Sequence, residues 1–207
     1  SGINTGAVMG FTNTLLEVIN KEKPSHIGVA FDTHAPTFRH EAFTDYKANR
    51  EKQPEEINIA IPYCKKIIQG FGIPVIELDG YEADDLIGTL ARLAGNQYQT
   101  FMMTPDKDYA QLVNEHTFLY KPAFMGNGVD ILGIKEVLEK FDINEVLQVI
   151  DVLGLKGDAV DNIPGVPGIG DKTASKLLKK YGSLEEIVAN QHLLTGSVKK
   201  KIEEFGE

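Results

Sequence analysis

Five acids stand within nine consecutive residues, Glu77, Asp79, Glu82, Asp84 and Asp85, with no base among them. Carboxylates this dense repel one another unless a cation is present. More acids follow apolar runs elsewhere in the chain. Asp32 ends HIGVAF (26–31), Asp106 and Asp108 come just after TFMMT (100–104), and GDAVDN supplies Asp158 and Asp161 at a spacing of three. Asp32, Glu82, Asp84, Asp85, Asp106 and Asp108 form a donor set of oxygens alone, which suits hard divalent ions, Mg²⁺ or Mn²⁺, rather than zinc. Two such ions held roughly 4 Å apart stabilise the attacking and leaving oxygens of phosphodiester hydrolysis. Each acid also has a simpler role open to it: Asp32 as a turn cap, Asp84 and Asp85 as partners of a helix N-terminus, and Asp106 or Asp108 as an N-cap. Asp158 and Asp161, placed on one helical turn, would share a face and add further ligands.

A second pattern concerns phosphate. Gly165, Gly168 and Gly170 lie directly before the amphipathic stretch DKTASKLLKKYG. Small residues let a backbone approach a ligand, and the free amides at a helix start seat a phosphate. No strand precedes these glycines, so a dinucleotide-binding loop is excluded and a helix-hairpin-helix turn gripping a DNA backbone remains. From Gly165 to Lys201 seven lysines (172, 176, 179, 180, 199, 200, 201) face three acids (171, 185, 186), a local balance of +4. The polar stretch from His34 to Gln53 mixes Arg39, Lys47 and Arg50 with Phe38, Phe43 and Tyr46. It reads as an exposed excursion whose bases hold phosphates and whose rings stack on a single strand, or as a surface loop with aromatic anchors.

The elements that must position these groups follow from periodicity. Helices are expected over Gly6–Asn20, Glu55–Gln69 (with Pro62 a possible kink), Asp84–Ala94 and Tyr109–Val113, and strands over HIGVAF, PVIEL (74–78) and TFMMT. FLYKP (118–122) reads as an edge strand and Gly126–Gly128 as a turn. Strands alternating with helices imply a parallel sheet, whose strand C-termini share one edge where ligands bind, so the acids should converge there. From Gly133 onward the chain reads as helical, over 134–140, 144–153, 172–181, 183–189 and 197–205. The expected division is an α/β domain over 1–140 and a small all-α domain over 141–207.

The chain has 207 residues, 42% of them hydrophobic and 25% charged, a globular composition with length for one or two domains. No apolar run approaches the roughly 18 residues of a membrane span. The single Cys64 excludes an internal disulfide or a multi-thiolate zinc site and fits a reducing cytoplasm. A net charge of −9 argues against nucleic acid when taken whole. By position it does not, because the acids gather in the candidate metal site and the lysines at the hairpin.

FDTHAPTFRHE (31–41), YKANR (46–50), GYEADD (80–85), TPDKD (104–108) and GDAVDNIPGVPGIGDKTA (158–174) together resemble the 5′ nuclease family, most closely 5′→3′ exonuclease domains of the bacterial DNA polymerase I type. The motifs occur in the family's order along the chain. The resemblance implies a PIN-like α/β fold with a parallel sheet flanked by helices, an arch, and a helix-three-turn-helix (helix-hairpin-helix) DNA clamp. It implies a metal-dependent 5′→3′ exonuclease and flap endonuclease acting in primer removal and DNA repair. By the same resemblance Asp32, Glu82, Asp84, Asp85, Asp106, Asp108, Asp158 and Asp161 match the family's carboxylates for two divalent ions, and Arg39, Lys47 and Arg50, with Asp32, its catalytic and arch positions. Gly165, Gly168, Gly170, Lys172, Thr173 and Lys176 look like its duplex contact, with K⁺ at the hairpin. The implied partners are 5′-flap or nicked DNA, an RNA primer and a polymerase domain in the same longer chain, for a cytoplasmic monomer. The family pattern opens with a further strand bearing an aspartate, which these residues do not include. The chain is therefore expected to be a fragment, with its opening Ser-Gly a cloning remnant. Two alternatives stay open: a DNA-binding fragment without catalysis, and a PIN-like ribonuclease on single-stranded RNA, which leaves the glycine hairpin without a purpose.

Overall fold

The computed structural model describes residues 5–122 and 128–205. Contacts divide the chain into two compact units, Ser1–Phe43 with Arg50–Leu86, and Thr44–Asn49 with Ile87–Glu207.

The first unit contains α1 (Gly6–Glu22), β1 (Val29–Ala30), α2 (Phe38–Ala42), α3 (Glu55–Gly70), β2 (Val75–Ile76) and the start of α4 (Ala83–Ala94). Phe11, Leu15 and Ile19 recur every four residues, so they share one face of α1. That face packs with Ile68 of α3, Ile73 and the flanks of the two strands. β1 and β2 pair in parallel, Val29 opposite Val75 and Ala30 opposite Ile76. The strands expected over HIGVAF and PVIEL thus shrink to two residues each, although Phe31 N–H still donates to the Ile76 carbonyl at 3.0 Å. Pro62 lies inside α3, where it removes one intrahelical donor.

In the second unit β3 (Thr100–Met103), β4 (Thr117–Pro122) and β5 (Val129–Leu132) form one sheet, β3 parallel to β4 and β5 antiparallel to it. FLYKP is therefore the central strand of this sheet and not its edge, and β5 is a strand that the sequence did not suggest. Most of the turn expected at Gly126–Gly128 lies outside the described residues. Helices α5 (Ile134–Phe141), α6 (Gln148–Lys156), α7 (Asp171–Tyr181), α8 (Leu184–Ala189) and α9 (Gly196–Phe205) follow, with a small antiparallel ladder of β6 (Gly157–Asp158) and β7 (Ile163–Pro164) between α6 and α7.

One core runs through this unit. Met102 and Leu119 of the sheet join Val137, Val152, Leu155, Leu178 and Ile187 of the helices. The sequence division at 140/141 passes through this shared core. α6 starts later than the expected Asn144, and Gln148 organises the turn that precedes it. Its Oε1 accepts the Asn144 and Glu145 amides at 2.9 and 3.2 Å, while its Nε2 donates to the Gly182 carbonyl at 2.7 Å. The buried amide thus holds the turn ahead of α6 and ties down the end of α7. No helix among the described residues is long and apolar enough to cross a membrane.

Candidate metal centre and nucleic-acid interface

In the first unit the acids cluster around the start of α4. Asp32, just past β1, accepts the Ala83 amide at 2.7 Å, so it satisfies one of the open donors of that helix. Asp85 accepts the Glu82 amide at 2.9 Å, an N-terminal cap made from inside the helix. The simpler capping roles open to these acids are thus occupied. Asp85 also takes both arms of Arg39, Nη1 to Oδ2 and Nη2 to Oδ1, each at 2.8 Å. Glu82, only 7% exposed, lies with its Oε2 4.0 Å from the same guanidinium. Asp84, by contrast, is exposed.

Arg39 is carried by α2, which is set by Thr37 and His40 bonding each other's backbone and side chain. The guanidinium also lies 4.6 Å over the Phe38 ring, and Phe38 meets Tyr81 at 6.0 Å. A cleft of about 820 Å³ opens beyond β1 and β2, lined by Asp32, His34, Lys65, Glu77 and Asp79. Lys65 is paired there with Glu77.

In the second unit the loop after β3 is folded by its own side chains. Thr104 Oγ1 accepts the Asp106 amide at 3.1 Å, and Asp106 Oδ1 accepts the Asp108 amide at 2.9 Å. A short 3-10 turn, Asp108–Leu112, replaces the expected α-helix over Tyr109–Val113. Asp108 Oδ1 is buried without a hydrogen-bond partner. Burial first, then the charge of Asp106, with smaller pushes from Asp158 and Asp161 against a pull from Lys107, raises the Asp108 carboxyl to about 6.

Lys107 donates to Asp158 Oδ2 at 2.9 Å and stands 4.0 Å from Asp108 Oδ1. Burial opposes the charge of Asp158, but the Lys107 bond and the Val160 amide at 2.8 Å outweigh it and hold that carboxyl below its usual range. The same bond to Asp158 holds the Lys107 ammonium above its usual range.

Asp158 and Asp161 do not share a helical face. Asp158 lies in β6 and Asp161 in the turn beyond it, because α6 ends at Lys156 and Gly157 reverses the chain at φ +74°. The 44–49 segment clips onto this turn. Lys47 N–H donates to the Asp161 carbonyl at 2.9 Å, Asn49 Nδ2 to the Ala159 carbonyl at 2.9 Å, and the Tyr46 hydroxyl to Asp161 Oδ2 at 3.3 Å. Tyr46 is consequently buried, which removes it from the rings expected to stack on bases, whereas Phe38 and Phe43 are exposed. Lys47 lies 4.9 Å over the Tyr46 ring, and Arg50, in the first unit, is exposed.

Among the described residues no three Asp, Glu, His or Cys side chains are set to grip one ion as they stand. Arg39 and Lys107 engage Asp85 and Asp158 instead. Lys107 is the residue to which the sequence reading gave no role. Its signal was the lysine lying between two acids in TPDKD.

The hairpin before α7 separates its three glycines. A Cβ on Gly165 would stand 2.1 Å from the Lys156 carbonyl carbon and 2.3 Å from the Gly157 amide, so this glycine lets two strands of the chain itself touch. Gly168 has φ +73°, and its carbonyl accepts Lys201 Nζ at 3.3 Å. Gly170 caps α7 in extended conformation with open space where a side chain would stand. Past it Ala174, Ser175, Leu177 and Leu178 are buried, while Lys172, Lys176, Lys179 and Lys180 are exposed. Lys156 donates to Asp171 in the first turn of α7 at 2.8 and 2.9 Å.

The same fold occurs in solved structures. T5 5′-exonuclease, in a structure with divalent metal ions (zinc), aligns with a TM-score of 0.77 at 24% identity, over 94% of this chain and 74% of that one. The catalytic core of Rad2 in complex with DNA substrate aligns with a TM-score of 0.61 at 18% identity, over 95% and 62%. These likenesses establish the fold. Residues 1–142 match the 5′-3′ exonuclease N-terminal resolvase-like domain and residues 145–207 the 5′-3′ exonuclease C-terminal SAM fold, and the chain belongs to this 5′-3′ exonuclease family. DNA polymerase I of Caldicellulosiruptor bescii is 39% identical over 98% of this chain and 24% of its own length. The 5′-3′ exonuclease of Aquifex aeolicus is 40% identical over 91% of this chain and 64% of its own. The chain thus spans about a quarter of the former and just under two thirds of the latter.

Proposed function

We propose that this chain hydrolyses phosphodiester bonds as a 5′→3′ exonuclease and 5′-flap endonuclease, using divalent ions held by its carboxylates. The observation that carries the reading is Asp108 Oδ1, a buried acceptor without a hydrogen-bond partner, on a carboxyl that three further aspartates act on. Such an oxygen-only set fits a hard cation, which we assign as Mg²⁺ or Mn²⁺; the T5 5′-exonuclease structure, with divalent metal ions (zinc), supports a divalent ion and no finer choice. Asp106, Asp108, Asp158 and Asp161 in one unit, and Asp32, Glu82, Asp84 and Asp85 in the other, are the proposed ligands.

When bound, the ions supply an activated water and charge stabilisation at the leaving oxygen. The chain supplies the rest. Asp32 and Asp85, by capping α4, fix the backbone that carries Glu82 and Asp84. Arg39, Lys47 and Arg50 neutralise and orient the phosphates of the scissile strand, with exposed Phe38 and Phe43 available for its bases. The first-turn amides of α7 with Gly168, Gly170, Lys172, Thr173 and Lys176 grip a duplex backbone, with Gly165 shaping the turn, and the hairpin would hold K⁺. The substrates would be 5′-flap or nicked DNA and RNA primers, handled by a cytoplasmic monomer that works with a polymerase domain in a longer chain.

The test pairs cleavage with binding. Asp106→Asn and Asp108→Asn should abolish metal-dependent cleavage of a 5′-flap duplex while its binding in EDTA is retained. Unchanged cleavage by both variants would remove the metal assignment. A second reading, DNA binding without turnover, is favoured by the engagement of Asp85 and Asp158 with Arg39 and Lys107. It predicts bound flap and no product with either ion.

A further inference from the structure

We infer that Lys107 is a built-in counter-cation that holds the acidic group around Asp108 together and competes with a divalent ion for it. The inference rests on the metal reading above and adds a residue that regulates the affinity of that site. Asp106, Asp158 and Asp161 all act on Asp108, and the Lys107 ammonium lies 2.9 Å from Asp158 and 4.0 Å from Asp108. The Lys107 ammonium is in contact with Asp158 and Asp108, while Lys121 acts on Asp106 from further away. Asp108 Oδ1, buried and without a hydrogen-bond partner, is the acceptor that the ammonium, 4.0 Å away, leaves unsatisfied.

The loop is constructed so that this ammonium can leave. Its turn is closed by Thr104 Oγ1 on the Asp106 amide and by Asp106 Oδ1 on the Asp108 amide, bonds in which the Lys107 side chain has no part. The Lys107 side chain is 39% exposed, and a lysine is one point charge on a flexible stem, able to swing into water without moving the backbone. Arg39 on Asp85 differs, because a bidentate guanidinium must break two bonds together. A divalent ion entering the Asp108 group would therefore displace the Lys107–Asp158 contact, and the strength of that contact is subtracted from its affinity.

The test is calorimetric titration of Mn²⁺ into the whole chain without DNA, for the wild type, Lys107→Met, Lys107→Gln, Lys107→Arg and Asp108→Asn. Without its competing ammonium, Lys107→Met should bind Mn²⁺ about three- to tenfold more tightly, the scale of a partly exposed charged contact. Lys107→Gln should behave alike, and Lys107→Arg, which keeps the competing charge, should bind no more tightly than the wild type. Wild-type binding that Asp108→Asn abolishes and Lys107→Met strengthens supports the inference. Equal or weaker binding by both neutral variants beside a wild type that binds overturns it and leaves the metal reading standing. A wild type that binds no Mn²⁺ overturns both.

Discussion

The Arg39 guanidinium and the Asp85 carboxylate, 46 residues apart, meet through two 2.8 Å hydrogen bonds. This fork pins α2 to the first turn of α4, and Asp85 simultaneously caps that turn through the Glu82 amide. One carboxylate thus serves both the fold and the candidate site. Arg39→Ala should lower unfolding free energy by about 1–2 kcal/mol, the range for charge-assisted hydrogen bonds that are partly exposed. A denaturant double-mutant cycle with Asp85→Ala checks it. Strictly additive effects would show that the pair contributes nothing.

Asp108 predicts a pH dependence. Its carboxyl is raised from 3.8 to about 6, so between those values the unfolded chain ionises while the folded one keeps its proton, and stability falls as pH rises. The penalty is absent below about pH 4 and complete above about pH 6. Asp108→Asn should therefore stabilise the chain at pH 7.5, by on the order of 1–2 kcal/mol once solvent screening is allowed for, and leave it nearly unchanged at pH 3.5. Urea midpoints in EDTA at both values measure this. An equal effect at both would refute the electrostatic origin.

The hairpin glycines should separate fold from function. Gly165→Ala drives a Cβ into the Lys156 and Gly157 backbone and should cost at least about 3 kcal/mol or prevent folding. Gly170→Ala meets open space and should alter the melting temperature little. If it nevertheless weakens duplex binding, the close approach at Gly170 belongs to the ligand.

Lys172 and Lys176 lie on the exposed face of α7. If they contact phosphates, changing either to alanine should weaken binding to unrelated duplexes alike and reduce the slope of log affinity against log salt by about one. Fluorescence anisotropy over a salt series reads both. A loss confined to one sequence would contradict backbone gripping.

Much of this architecture was legible in local pattern. The stripe Phe11, Leu15, Ile19 marked α1, and the helix expected over 183–189 is α8, whose start Ser183 caps by accepting the Glu186 amide. The acids past strand ends and the glycines before α7 also announced themselves. What escaped depends on distant partners. Asp158 and Asp161 read as a helical pair until Gly157 and Gly165 are seen to pack backbone to backbone. Tyr46 reads as an exposed ring until the turn at Asp161 covers it. FLYKP could not be recognised as a central strand, because its second neighbour, β5, is four residues long and carries no alternation of its own. Lys107 looked like an ordinary surface lysine, since its role comes from Asp158, 51 positions away.

The most direct test of the account is incubation of this chain with a 5′-labelled flap duplex in Mg²⁺ or Mn²⁺, beside an EDTA control and a binding measurement on the same DNA. The account predicts release of the flap only when the divalent ion is present. Binding without release under either ion, or release that persists in EDTA, would contradict it.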